Sequence, residues 1–128
     1  HLAPLLAIPG IEWVSLQVER DSWIAGTTVR RPPALADLAD TAHVIGQLDL
    51  VISIDSAVAN LAGALGAPVW VLTRSTPEFR WMEEGTATPW YPSAVVFRRR
   101  TMHEWSGVLA RVAAALAEHV ATGAPPTD

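Results

Sequence analysis

The sequence predicts an open α/β domain with a mostly parallel sheet covered on both faces, and three neighbouring stretches carry that prediction. Residues 50–54 (LVISI) form a β-branched and aliphatic run with Ser53 as its one small polar member, too short for a helix and too apolar for a half-exposed strand. A strand buried on both faces of a parallel sheet reads this way. Residues 56–65 follow, rich in alanine and leucine, with Val58, Leu61, Ala62 and Leu65 at helical spacing and Gly66 as the stop signal. Pro68 then opens a second apolar run, 69–72. Strand, short helix and strand in such close order make a βαβ unit, whose crossover is expected to be right-handed.

The remaining elements are placed around this unit. Residues 2–8 are apolar and read as the end of a helix, closed by the turn signal Pro9-Gly10. Residues 12–16 (EWVSL) read as the first strand, with Gln17 at its carboxyl end. Residues 18–31 have no clear period and read as a long loop with a short edge strand near 28–30. Pro32-Pro33 ends that region, and 37–47 then places Leu38, Thr41, Ala42, Ile45 and Leu48 on one helical face, with Asp40-Thr41 as a candidate cap. His43 falls one step off that face and reads as a surface residue. Residues 94–97 form a further strand, followed by Arg98-Arg99-Arg100, a basic run that reads as solvated or as facing phosphate. Residues 104–120 carry the longest amphipathic stripe, Trp105, Val108, Leu109, Val112, Leu116 and Val120, which should lie along the sheet. Residues 1–120 are thus expected to form one domain and 121–128, with Gly123 and Pro125-Pro126, a disordered tail.

Composition narrows the function. At 128 residues, half of them hydrophobic, the chain suffices for one domain with a real core. A net charge of −4 argues against nucleic-acid binding, which needs a basic face. All nine basic residues are arginines, so no lysine can clamp a phosphate or form a Schiff base. Without cysteine there is no disulfide framework, zinc–thiolate site or cysteine nucleophile, and the four histidines lack metal-site spacing. No apolar run reaches the roughly 18 residues that span a bilayer, and no signal peptide is visible, so a cytoplasmic location is expected. The first residue is not methionine, and a piece of a longer protein is expected.

The chemistry is expected at the first turn of the βαβ unit. Asp55 and Ser56 lie where the strand's carboxyl end meets the helix's amino end, the place where open α/β sheets bind ligands. Unpaired N–H groups and a partial positive charge there suit an anion such as phosphate. The plain alternative is that Asp55-Ser56 does nothing but cap the helix. A second unusual stretch, 73–93, sets Phe79, Trp81, Trp90 and Tyr91 among prolines and arginines without any period. Aromatic rings and arginines beyond a strand's carboxyl end suit a sugar or base and a diphosphate. Equally, the rings could form a satellite cluster under the loop or a docking surface. Neither a Walker sequence, nor GxGxxG, nor a GxSxG elbow is present.

Several stretches together resemble the carboxyl-terminal half of the heptosyltransferase-like glycosyltransferases, glycosyltransferase family 9, in the version fused behind tetratricopeptide repeats in bacteria. They are 14–17 (VSLQ), 38–42 (LADTA), 48–66 (LDLVISIDSAVANLAGALG), 68–72 (PVWVL), 79–81 (FRW), 89–93 (PWYPS) and 97–98 (FR), with Trp105 in the last helix. The resemblance implies a GT-B glycosyltransferase, two Rossmann-like halves with a cleft between them, this chain being the donor-binding half. The family's Asp-Thr-x-x-x-His-Leu-Ala motif falls on Asp55, Ser56, Asn60, Leu61 and Ala62. In the family it lines the donor's diphosphate. Ser56 keeps the hydroxyl of the usual threonine, whereas Asn60 replaces the histidine and removes a potential cation. The lysine many relatives place on the donor phosphates has no counterpart, and Arg74, Arg80 or Arg98 would have to substitute.

The leading expectation is therefore transfer of a sugar from a nucleoside-diphosphate sugar, used as substrate without cofactor or metal. Asp55, Ser56, Ala57 and Asn60 would lie at the diphosphate, with Gln17, Thr73, Arg74, Arg80 and Trp81 around base and sugar. No residue here is a convincing general base, so the acceptor half and the repeats of a parent chain are the expected partners, with a homodimer open to an orphaned cleft face. The alternatives are a degenerate module that binds a protein or glycan without catalysis, and a different doubly wound enzyme such as a sugar-nucleotide epimerase.

Overall fold

A computed structural model describes residues 3–16, 29–30, 37–54, 56–73, 81, 86–99 and 105–123. The described elements run α1 (Ala3–Leu6), α2 (Leu38–Ile45), β1 (Val51–Ile54), α3 (Ala57–Ala64), β2 (Val69–Thr73), β3 (Ala94–Arg98) and α4 (Trp105–Thr122). The three strands form one parallel sheet in the order β1-β2-β3. Val51 pairs with Val69 and Val69 with Ala94, so all three strands start level. The fold is α/β, and β1-α3-β2 is the βαβ unit expected from the sequence.

Alternation along the strands sorts the core into two layers. Val51, Val69, Val71, Ala94 and Val96 face a cluster with Ile45 of α2, Ala59 and Ala62 of α3, and Trp81. Trp70, Leu72 and Phe97 face the opposite cluster, built with Leu5 of α1 and Val108, Leu109, Val112 and Leu116 of α4. β2 lies between its two neighbours and every one of its residues is buried. Trp70 packs against Phe97 (5.4 Å) and edge-on against His119 (5.7 Å).

Local chemistry sets the helix boundaries. The Asp37 carboxylate accepts the Asp40 N–H (2.9 Å), so the cap of α2 is Asp37, where the expected helix began, and the candidate pair Asp40-Thr41 lies inside the first turn. α3 is capped at its carboxyl end by Leu65, followed by Gly66 at φ +72°, a conformation that glycine adopts without a Cβ penalty. α4 continues past its expected end. Thr122 Oγ1 donates to the Glu118 carbonyl, and Gly123, at φ +72°, donates its N–H to His119, so residues 121–122 are helix rather than tail.

Other expectations need correction. The strand expected at 12–16 is reduced to an isolated parallel bridge between Val14 and Arg30, with Ser15 donating to the Arg30 carbonyl and Arg30 to that of Trp13. An exposed Arg30–Glu12 ion pair joins the same two segments and adds little stability. β1 is not covered along its whole length, because Ile54 at its carboxyl end is 60% exposed. Leu38 in the first turn of α2 and Val120 in the last turns of α4 are likewise exposed, despite lying on the apolar stripes. Among the described residues no helix is long and apolar enough to cross a membrane.

Candidate functional site

The carboxyl ends of the three strands gather hydroxyl and guanidinium groups on the face that α3 covers. Ser53 is level with Val71, Val71 with Val96, and Thr73 with Arg98. Alternation puts Ser53, Thr73 and Arg98 on the same side as Val51, Val71 and Val96. The sheet therefore changes from aliphatic to polar on this one face as it reaches its carboxyl edge.

Ser56 enters that edge as the N-cap of α3, in extended conformation (φ −161°, ψ 173°). Its hydroxyl accepts the Ala59 N–H (3.4 Å) and lies 3.0 Å from the Ser53 hydroxyl, which donates to the Ile54 carbonyl (2.8 Å). One hydroxyl is thus shared between capping and the strand end. The N–H groups of a helix's first turn have no partner within the helix, and Ser56 takes one of them. The first turn of α3 carries no acidic residue that would repel an anion.

Thr73 is the residue that sequence patterns alone could least interpret. It is 1% exposed, and its Oγ1 is buried without a hydrogen-bond partner among the described residues. Its carbonyl accepts the Arg99 N–H (2.9 Å), which ties the strand end but leaves the hydroxyl unused. A buried hydroxyl without a partner costs on the order of 1–3 kcal/mol, so a strand end that keeps one needs a reason.

Asn60 holds the middle of the site. Its Nδ2 donates to the Ser56 carbonyl (3.0 Å), which also accepts the Asn60 backbone N–H (3.1 Å), and its Oδ1 accepts from the Tyr91 hydroxyl (2.9 Å). Both ends of the amide are occupied inside the fold. The orientation is fixed, because turning the amide over would set two oxygens against each other at Ser56.

Of the other candidate residues, Ala57 is exposed at the first helical position and Ser56 is half-buried. Gln17, Asp55, Arg74 and Arg80 lie outside the described residues, as does Phe79. Trp81 corrects the expectation of a stacking platform. It is fully buried among Ile45, Ala59 and the strand valines, with the Tyr91 ring 5.4 Å away, so it offers no face to a sugar or base in this structure. The satellite-cluster alternative describes Trp81 and Tyr91, whereas Trp90 is 55% exposed. Arg98 is half-buried and donates to the Trp81 carbonyl, while Arg99 lies over the Trp105 ring (4.7 Å). Neither behaves as a simple solvated charge. Gly63 and Ser53 were not legible as site residues, and Tyr91, singled out with the other rings of its stretch, was not legible as a partner of Asn60 and Gly63, since these roles come from contacts between distant segments. Among the described residues no cluster of acidic and histidine side chains could hold a metal ion.

No protein-family model matches the chain. Protein FlbA of Caulobacter vibrioides is 35% identical to it over 130 residues. That alignment covers 93% of this chain and 21% of FlbA, so the chain spans about a fifth of the length of this relative.

Proposed function

We propose that this chain is the donor-binding half of a GT-B glycosyltransferase, with a Rossmann-like sheet whose carboxyl edge holds the diphosphate of a nucleoside-diphosphate sugar. The acceptor half and the general base would come from other parts of a longer parent protein. The observation that carries this reading is the unpartnered, buried Thr73 hydroxyl, at the same sheet edge as the Ser53–Ser56 hydroxyl pair and the amino terminus of α3. Together they set a buried hydroxyl donor, backbone N–H groups and a helix dipole at one sheet edge, a donor set that suits a phosphate oxygen. The resemblance of 55–62 to the family motif points to the same turn. The helix terminus would also stabilise the departing nucleoside diphosphate, as fixed dipoles aimed at developing charge.

Calorimetric titration with UDP, GDP, ADP and their sugars tests this directly. One nucleotide should saturate the chain, and Asp55→Ala and Ser56→Ala should weaken it. Thr73→Val should have two opposite effects. Removing an unpartnered buried hydroxyl should raise stability in urea by about 1 kcal/mol, and it should weaken nucleotide binding by about tenfold, as loss of one hydrogen bond to a charged oxygen does. A Thr73→Val protein that is less stable than the parent would mean that the hydroxyl has a partner.

A second reading is favoured by one observation. Asn60 stands where the motif has histidine, and its amide is held by Tyr91 and Ser56, so that position offers phosphate a single neutral N–H in place of a potential cation. A module that binds a protein or glycan without catalysis, with the exposed Trp90 in its contact surface, would look like this. Such a module predicts a folded chain that ignores every nucleotide in the titration.

A further inference from the structure

Residues 86–93 form a strap that leads into β3 and is fastened at several points. Thr86 accepts the Val96 N–H (2.8 Å), Ser93 Oγ donates to the Ala67 carbonyl (2.8 Å), and the Ser93 carbonyl accepts from Val69 (3.4 Å). Between these fastenings the Tyr91 ring lies on α3 at Gly63, so closely that a Cβ there would come within 2.5 Å of the ring's Cγ. Asn60 and Gly63 are three residues apart and share one helix face. The phenol therefore reaches Asn60 with its ring already seated, and its hydroxyl donates to Oδ1 (2.9 Å). The amide passes the chain on through Nδ2 to the Ser56 carbonyl. Hydroxyl, amide and carbonyl are aligned head to tail, so each bond polarises the next.

We propose that Tyr91 is a positioning residue for the anion-binding turn of α3, acting through Asn60, so that the strap and the ligand site form one coupled unit. The inference rests on the donor-site reading above and names what holds that site in shape. The Ser56 carbonyl and hydroxyl belong to one residue. Pinning the carbonyl from the Asn60 side fixes the rotation of the peptide that carries the Ala57 N–H, the first of the helix. Preorganised donors bind an anion better than donors that must first be ordered. Coupling of this kind is reciprocal, so a bound diphosphate should in turn hold the strap on the helix.

The test uses the whole chain and three variants, Tyr91→Phe, Asn60→Ala and the two combined. Tyr91→Phe keeps the ring on Gly63 and removes the hydroxyl alone. Two measurements are made, titration with UDP, GDP and ADP, and hydrogen exchange at the backbone amides of α3 without ligand. Tyr91→Phe should weaken the bound nucleotide by about fivefold and speed exchange at residues 60–62 by a similar factor, the loss expected for one neutral hydrogen bond. The double variant should bind no worse than Asn60→Ala, because the two residues act in series. If Ser56→Ala loses binding while Tyr91→Phe binds as the parent does, the positioning role is overturned and the donor site stands. If no nucleotide binds the parent chain, the donor reading fails and the exchange measurement decides the link alone. Unchanged exchange in α3 would then overturn the Tyr91–Asn60 link to the helix as well, and faster exchange there would sustain that link while the anion-positioning role falls with the donor site.

Discussion

Trp81→Ala is expected to cost about 3–5 kcal/mol of folding stability, the range for emptying a large aromatic site in a packed core. The indole is fully buried in a cluster drawn from both helices of its layer and all three strands, so no single neighbour can collapse into the space. A domain of this size has only about 5–15 kcal/mol in total, and thermal unfolding should fall on the order of 10 °C. Trp81→Phe should recover most of the loss. If Trp81 were instead a platform for a sugar, Trp81→Ala would spare stability and lower affinity. Urea denaturation beside nucleotide titration separates the two outcomes.

Gly63→Ala is expected to destabilise by about 1–3 kcal/mol, as overpacking does, although the same change in a free helix would stabilise by about 0.5–1 kcal/mol. The difference in sign comes from one contact. An added Cβ would sit 2.5 Å from Cγ and 2.8 Å from both Cδ atoms of Tyr91, on the rigid ring and not on the tip of a flexible chain. Placing Gly63→Ala on a Tyr91→Ala background removes the obstacle, and the substitution should then stabilise. Equal effects in both backgrounds would show that the ring is not what keeps residue 63 a glycine.

The legible and illegible parts of this molecule divide by the range of the interaction responsible. The α3 boundaries could be read because Ser56 and Gly66 act on their own neighbours, through a side-chain cap and a positive φ. β2 could be read because a strand covered on both faces can afford no polar residue before its end. Trp81 and Tyr91 could not be placed, since a segment of arginines, prolines and aromatics has no period to say which rings turn inward. Gly63 looked like an ordinary small residue of an alanine-rich helix until the strap was laid over it. The expected first strand failed for a related reason. Residues 12–16 have strand character, yet Trp13 packs into the layer under α4 and Val14 finds one bridge, with Arg30. The turn at Ser56 was legible as a candidate place, because ligands of open α/β sheets lie beyond the strands' carboxyl ends, whereas the unpartnered Thr73 hydroxyl required burial and partners to be known.

The level register of the three strands has a kinetic consequence. Val51 reaches Val69 across one short helix, whereas Val69 reaches Ala94 only after a longer excursion through the residues that contain Trp81 and the strap. Closing the shorter loop loses less chain entropy, and contacts near in sequence form earlier in folding. The β1-α3-β2 unit is then the expected nucleus, with β3 and the Tyr91–Gly63 contact expected to join it later. Substitutions at Ala59 or Val69 should slow folding, while those in the strap should mainly hasten unfolding.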